Sequence, residues 1–180
     1  MVRQTSRAFD TMQEATSVTA VSNRADLLRR LEVFRISHES LVRFAEQSAD
    51  DRERQFQVAS SHQRIGEILF ALGSIHEALA ELTKACAICQ ELHEQDPSDQ
   101  RVLYKLVVLH DNLGTIHRDS GNLPAALQSF LECRRLLESL CKQSDAKATW
   151  LSDLAAVCDR LGTVYRLQSK LADALKLFNE

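Results

Sequence analysis

Glycine and proline are scarce in this chain, five and two among 180 residues. So few breakers favour long helices, and the abundant Leu, Ala, Glu, Gln and Arg point the same way. No charge of one sign dominates: 22 Lys and Arg against 25 Asp and Glu leave a net −3. That balance gives no electrostatic footprint for nucleic acid or an anionic membrane. No run approaches the ~18–20 apolar residues that span a bilayer. The opening Met1-Val2-Arg3-Gln4-Thr5-Ser6-Arg7 lacks the apolar core of a secretion signal. The cysteines number five (86, 89, 133, 141 and 158), an odd count with most on apolar helix faces. They are expected to be reduced thiols in an intracellular, cytoplasmic protein. No Gly-rich phosphate loop follows a strand, and no Ser–His–Asp or Cys–His arrangement can be argued, so no catalytic residues and no cofactor are expected. The 44% hydrophobic and 26% charged residues are those of a folded chain, not a disordered one.

What is present is a period. Arg64-Ile65-Gly66, Asn112-Leu113-Gly114 and Arg160-Leu161-Gly162 place three glycines 48 residues apart. A fixed spacing in this range is the mark of stacked repeats, each burying its apolar face only against its neighbours. The period predicts repeats at 51–98 and 99–146, an incomplete third at 147–180, and the second helix of an earlier copy within 24–50. Residues 1–23, rich in Ser and Thr, read as a short helix around Ala8, Phe9, Met12 and Ala15 or as a disordered segment.

Within each copy, apolar residues recur at steps of three and four before the glycine. Leu103, Leu106, Val107, His110 and Leu113 do so, as do Leu151, Leu154, Ala155, Cys158 and Leu161, with Gln55, Val58, Ala59, His62 and Ile65 a weaker version. This is helix A. A break follows at Gly73-Ser74 and at Gly121-Asn122, with Ser169-Lys170 a less decisive third. Ser74 with Glu77 has the spacing of a capping box, and Asn122 with Pro124 suits a helix start. Helix B then carries Ile75, Ala78, Leu79, Leu82, Cys86, Cys89 and Leu92, or Leu123, Ala126, Leu127, Phe130, Cys133, Leu137 and Leu140. Asp96-Pro97-Ser98 ends the first of these. Leu27, Arg30, Leu31, Phe34, His38, Leu41 and Phe44 form the earlier helix B. Gly66 and Ala78, with their equivalents, are small enough to let paired helices approach closely.

These positions resemble the tetratricopeptide repeat. Leu161-Gly162, Tyr165, Ala174 and Phe178 match it fully; Leu113-Gly114, His117, Ala126 and Phe130 depart at the histidine. Ile65-Gly66, Leu69, Ala78 and Leu82 are a looser match, and His62, His110 or Cys158 stand where the family has Trp. The resemblance covers about 24–180. The family's period is about 34 residues with a proline closing helix B, but Gln90 and Glu138 stand at that position here. The added residues are therefore expected to lengthen both helices, each by roughly two turns of 3.6 residues. Long-helix arrays of bacterial tetratricopeptide proteins are similar, including the run Trp150-Leu151-Ser152-Asp153-Leu154.

The resemblance implies an all-α, right-handed superhelical stack of antiparallel hairpins whose A helices line a concave, peptide-binding groove. Carried over position by position, that groove comprises Gln63, Glu67, Phe70, Asp111, Thr115, Arg118, Asp159, Thr163 and Arg166. Stacking would place Asp111 over Asp159 and Arg118 over Arg166, an acidic column beside a basic one, against the plainer reading of a solvated helix face. The implied function is a protein–protein interaction scaffold; the alternative is a sensory or regulatory segment of a larger signalling protein. The family's carboxylate clamp for chaperone tails is matched only at Asn112 and Arg160, while Gln63, Glu67 and Ala156 depart from it, and Glu67 would repel a carboxylate.

Cys86, Cys89 and His93 share a helix face but lack a second ligand pair, so a packed, metal-free core is expected. The partner expected is a protein or peptide, not nucleic acid or membrane. The third helix B stops after about ten residues, leaving Leu171, Leu175 and Phe178 uncapped, each losing ~1.5–3 kcal/mol of burial if exposed. A longer array or self-association through that edge is the expectation drawn from it.

Overall fold

The computed structural model describes residues 24–46, 52–142 and 148–168. They form six helices, with no strand among the described residues: α1 (Arg24–Glu46), α2 (Arg52–Ala71), α3 (Ile75–Gln95), α4 (Gln100–Asp119), α5 (Leu123–Cys141) and α6 (Ala148–Leu167). The 48-residue period is carried into the helix starts, at 52, 100 and 148 for helix A and at 75 and 123 for helix B. Each helix packs on the next in sequence, and α2 also touches α4. This is the chain of nearest-neighbour contacts that a helical repeat requires. Residues 1–23, the break at Ser169-Lys170 and the helix expected from Leu171, with Ala174, Leu175 and Phe178, lie outside the described residues.

The absence of an early breaker does lengthen helix B. α3 runs past Gln90 to Gln95, and α5 past Glu138 to Cys141. The A-to-B turns are two copies of one device. Gly73 and Gly121 sit at φ +84° and +80°, in the left-handed region that glycine enters at no steric cost. In the first, Gly73 N–H bonds to the Phe70 carbonyl and Ser74 N–H to that of Leu69; in the second, Gly121 bonds to Arg118 and Asn122 to His117. Orphan carbonyls at the ends of α2 and α4 are thereby satisfied.

One local expectation fails. The Ser74 side chain makes no capping hydrogen bond, so no capping box forms with Glu77. Ser74 takes φ −82° and ψ 66°, nearly the backbone of Asn122 at φ −82° and ψ 70°, so the shorter side chain and not the turn separates the two. Asn122 does cap α5, over a long 3.4 Å bond from Ala125 N–H. The better cap is Asp99, whose carboxylate accepts from Arg101 and Val102 N–H at 3.0 and 3.2 Å. Arg52, the first residue of α2, braces the same corner through the Leu92 carbonyl at 3.0 Å and Asp99 at 3.5 Å.

The core is continuous from Leu31 and Phe34 of α1 through Leu82, Leu92, Leu109 and Phe130 to Trp150 and Leu161. The glycine of the Leu-Gly pair is where helices A and B come nearest. A Cβ at Gly66 would stand 2.9 Å from Leu82 Cγ, and one at Gly114 only 2.6 Å from two ring carbons of Phe130. In α6 the buried face is Trp150, Val157, Leu161 and Val164, whereas Leu151 is 57% exposed. Its repeat equivalent Leu103 is buried, α4 packing on both α3 and α5, while among the described elements α6 packs mainly on α5 and meets α4 through side chains such as Trp150, Asp153 and Arg160.

Candidate binding groove

The A helices meet through polar side chains where sequence reasoning placed a ligand. Gln63 is buried and spans two helices: it donates to Glu67 at 2.6 Å and accepts from Lys105 Nζ of α4 at 2.9 Å. Glu67 also accepts from Asn112 of α4 at 3.0 Å and from Arg64 at 3.0 Å. These two of the nine positions therefore link repeats. Asp111 does the same one copy further on, with Arg160 at 3.3 Å, although that oxygen has no hydrogen-bond partner among the described residues. Burial raises the Asp111 pKa and Arg160 partly offsets it. The expected acidic column is thus interrupted, since Asp111 faces a guanidinium of the next repeat. Arg118 pairs with its neighbour Asp119 at 2.8 Å, which also interrupts the basic column. Phe70 packs half-buried against the core, Thr115 and Thr163 are half-buried, and Asp159 and Arg166 are exposed.

An open space lies nearer the N-terminal ends of the A helices. It is a groove of about 1010 Å³ walled by Phe56 of α2, Arg101, Tyr104, Lys105 and Val108 of α4, and Trp150 of α6. Asp96 and Asp99 of the loop between α3 and α4 close one part of it. Arg101 lies over the Phe56 ring at 4.4 Å and Lys105 Nζ stands 5.3 Å from the same ring centre. Tyr104 packs against Trp150 at 6.5 Å and donates its hydroxyl to Asp153 of α6 at 2.8 Å. Burial first, and that bond second, push the Tyr104 pKa up to about 12. Burial likewise lowers the Lys105 pKa. None of these wall residues belongs to the nine. A signal was available: Phe56 and Tyr104 are aromatics one period apart, and Lys105 is a single cation inside the apolar run Val102-Leu103-Tyr104-Lys105-Leu106-Val107-Val108.

A second polar cluster joins three helices. His38 of α1 meets His62 of α2 in a tilted contact, with ring centres 4.2 Å apart and planes at 60°. His38 Nδ1 lies 2.6 Å from Ser61 Oγ, whose own proton goes to the Val58 carbonyl at 2.7 Å. His38 Nδ1 must therefore be the donor. His62 Nδ1 meets Glu81 of α3 at 2.6 Å, and Lys84 reaches the other oxygen of Glu81 at 2.8 Å. With its proton committed to a backbone carbonyl and its side chain shut from solvent, Ser61 is not arranged as a nucleophile. Cys86, Cys89 and Cys133 are buried, and burial pushes each thiol up to about 12, so they stay neutral. No group of three metal-binding side chains occurs among the described residues. No helix among them is long and apolar enough to cross a membrane.

No protein-family model matches this chain, and no curated protein matches it. Among solved structures it is similar to BtubC (BKLC) from P. vanneervenii, with a TM-score of 0.65 at 14% identity. The match covers 86% of this chain and 55% of that one, so the chain spans about half its length. At this identity the likeness establishes the helical fold alone.

Proposed function

We propose that this chain is a tetratricopeptide-like scaffold, its hairpins stacked in a right-handed superhelix, which holds a peptide or protein segment along its A helices without chemistry of its own. The observation that carries this reading is the groove of about 1010 Å³ across α2, α4 and α6. Its aromatic walls come from equivalent positions of two repeats, Phe56 and Tyr104, so one extended segment crosses similar surroundings twice. Its size is at the upper end for small-molecule pockets, ~300–1,000 Å³, which suits a chain segment. Gln63, Glu67 and Asp111 support the groove from the interhelix contacts, and Thr115, Arg118, Asp159, Thr163 and Arg166 extend the surface towards the C-terminal ends of the same helices. A cytoplasmic setting fits cysteines that form no disulfide among the described residues.

The test is selection of peptides by display on the wild-type chain, followed by calorimetry on Val108→Phe, which fills the groove without touching the Gln63–Lys105 link. Selected peptides should lose about tenfold or more in affinity, a change of about 1.4 kcal/mol or more. Peptides that bind the two proteins equally would refute the groove as the site.

A further inference from the structure

The charges around the groove are unevenly answered, and this points to the chemistry of what enters it. Lys105 is partly buried, yet its one hydrogen bond runs to a neutral amide, Gln63 Oε1, and among the described residues no carboxylate forms an ion pair with it. A buried ammonium is normally paired, because taking it out of water is costly, and it carries three N–H donors. The nearest acid, Glu67, is already occupied: Oε1 accepts from Gln63 and Asn112, and Oε2 from Arg64. Arg101, lying on the Phe56 ring beside Lys105, pairs among the described residues with Glu53 at 2.7 Å, with both side chains more than half exposed. Exposed pairs of that kind contribute little and exchange readily.

We propose that the segment bound here is acidic: an Asp or Glu carboxylate enters beside Lys105 and Arg101 while adjoining apolar side chains lie on Phe56 and Tyr104. The proposal rests on the reading of the groove as a site for a chain segment and adds the charge of that segment. Asp96 and Asp99 line the same groove but are answered locally. Asp96 takes Ser98 N–H and hydroxyl at 3.0 and 2.6 Å, and Asp99 takes two backbone N–H groups and Arg52. They repel a carboxylate from the loop end and leave it the Lys105 end, so the arrangement sets register as well as sign.

The experiment uses short peptides of one apolar pattern in three versions, bearing Asp and Glu, their amides, or Lys. Each is titrated into wild-type protein, Lys105→Met and Arg101→Gln at low and high salt, with Trp150, the single tryptophan, as a fluorescence reporter within the groove wall. The acidic version should bind wild type about tenfold more tightly than the amide version, and the advantage should shrink with salt. Both substitutions should erase the advantage of the acidic version over the amide version. Arg101→Gln keeps the test intact if Lys105→Met fails to fold, since Arg101 is 54% exposed. Equal binding of all versions, or tightest binding of the Lys version, overturns the acidic assignment and leaves the groove reading standing. Binding of none overturns both.

Discussion

Replacing Gly114 with alanine tests the close approach on which the repeat depends. On an open helix face the change would stabilise by ~1 kcal/mol, because alanine is the better helix former. Here the new methyl would stand 2.6 Å from Cδ1 and Cε1 of Phe130 and 2.9 Å from Cζ, against about 3.5–4.0 Å for comfortable carbon contacts. Phe130 is wholly buried, so its ring cannot swing into solvent, and α4 and α5 must separate by a fraction of that overlap. Overpacking of this kind costs ~1–3 kcal/mol, and the size of the overlap puts it at the upper end. Subtracting the propensity gain leaves a net loss of about 2 kcal/mol, or about 4–8 °C in the thermal midpoint at this chain length. Circular dichroism in a thermal and a urea series measures it. Phe130→Leu in the same background supplies the check: the double variant should be more stable than the sum of the two single losses, by at least about 0.5 kcal/mol. Gly66→Ala should cost less, because its nearest contact is 2.9 Å and to an aliphatic side chain. A Gly114→Ala protein as stable as wild type, or more so, would refute the steric argument.

Asp99→Ala should destabilise by ~1 kcal/mol through loss of the α4 cap, whereas Ser74→Ala, which removes no capping bond, should be close to neutral; urea midpoints compare the two. Stability should also fall on mild acidification. His38 is held below its ordinary 6.5 by burial and then by His62, against the partial opposition of Glu81 and Glu39, and burial lowers His110 and His117 too. The unfolded chain therefore binds more protons between those lowered values and 6.5, so stability is lost as pH drops through that window and levels off beneath it. Glu81, lowered by its bonds to Lys84 and His62 despite burial, acts only below the carboxylate value of 4.5. Thermal midpoints taken from about pH 7.5 to pH 5.5 should decline, and His38→Gln, which retains an N–H for Ser61, should flatten part of that slope. A flat wild-type profile would contradict this.

The fold was legible because its determinants are local and repeated. The Leu-Gly pairs mark the points where helices touch, the Gly73 and Gly121 turns need a left-handed residue, and the missing proline near Gln90 and Glu138 lengthens helix B; each is a property of a few adjacent residues. What the pattern misjudged depends on neighbours. Ser74 has the right spacing for a capping box, but its short side chain makes no capping bond from a backbone conformation that Asn122 shares. Leu151 stands where Leu103 stands, but among the described elements α6 packs mainly on α5, whereas α4 packs on both α3 and α5.

The candidate site was harder to read for a physical reason: a period says which residues are equivalent, not which ones bond to each other across the interface between copies. Asp111 and Asp159 are equivalent, yet the side chain that reaches Asp111 is Arg160, one position further along. Lys105 to Gln63, Asn112 to Glu67 and Tyr104 to Asp153 also depart from the period, with separations of 42, 45 and 49 residues instead of 48. Bonded side chains are thus staggered by between one and six positions, and at Asp111 a guanidinium stands where a second carboxylate would have stacked. These bonds bind one A helix to the next and set the spacing between Phe56 and Tyr104. Gln63, Glu67 and Asp111 thus join one A helix to the next, beside a groove walled by Phe56, Tyr104 and Lys105.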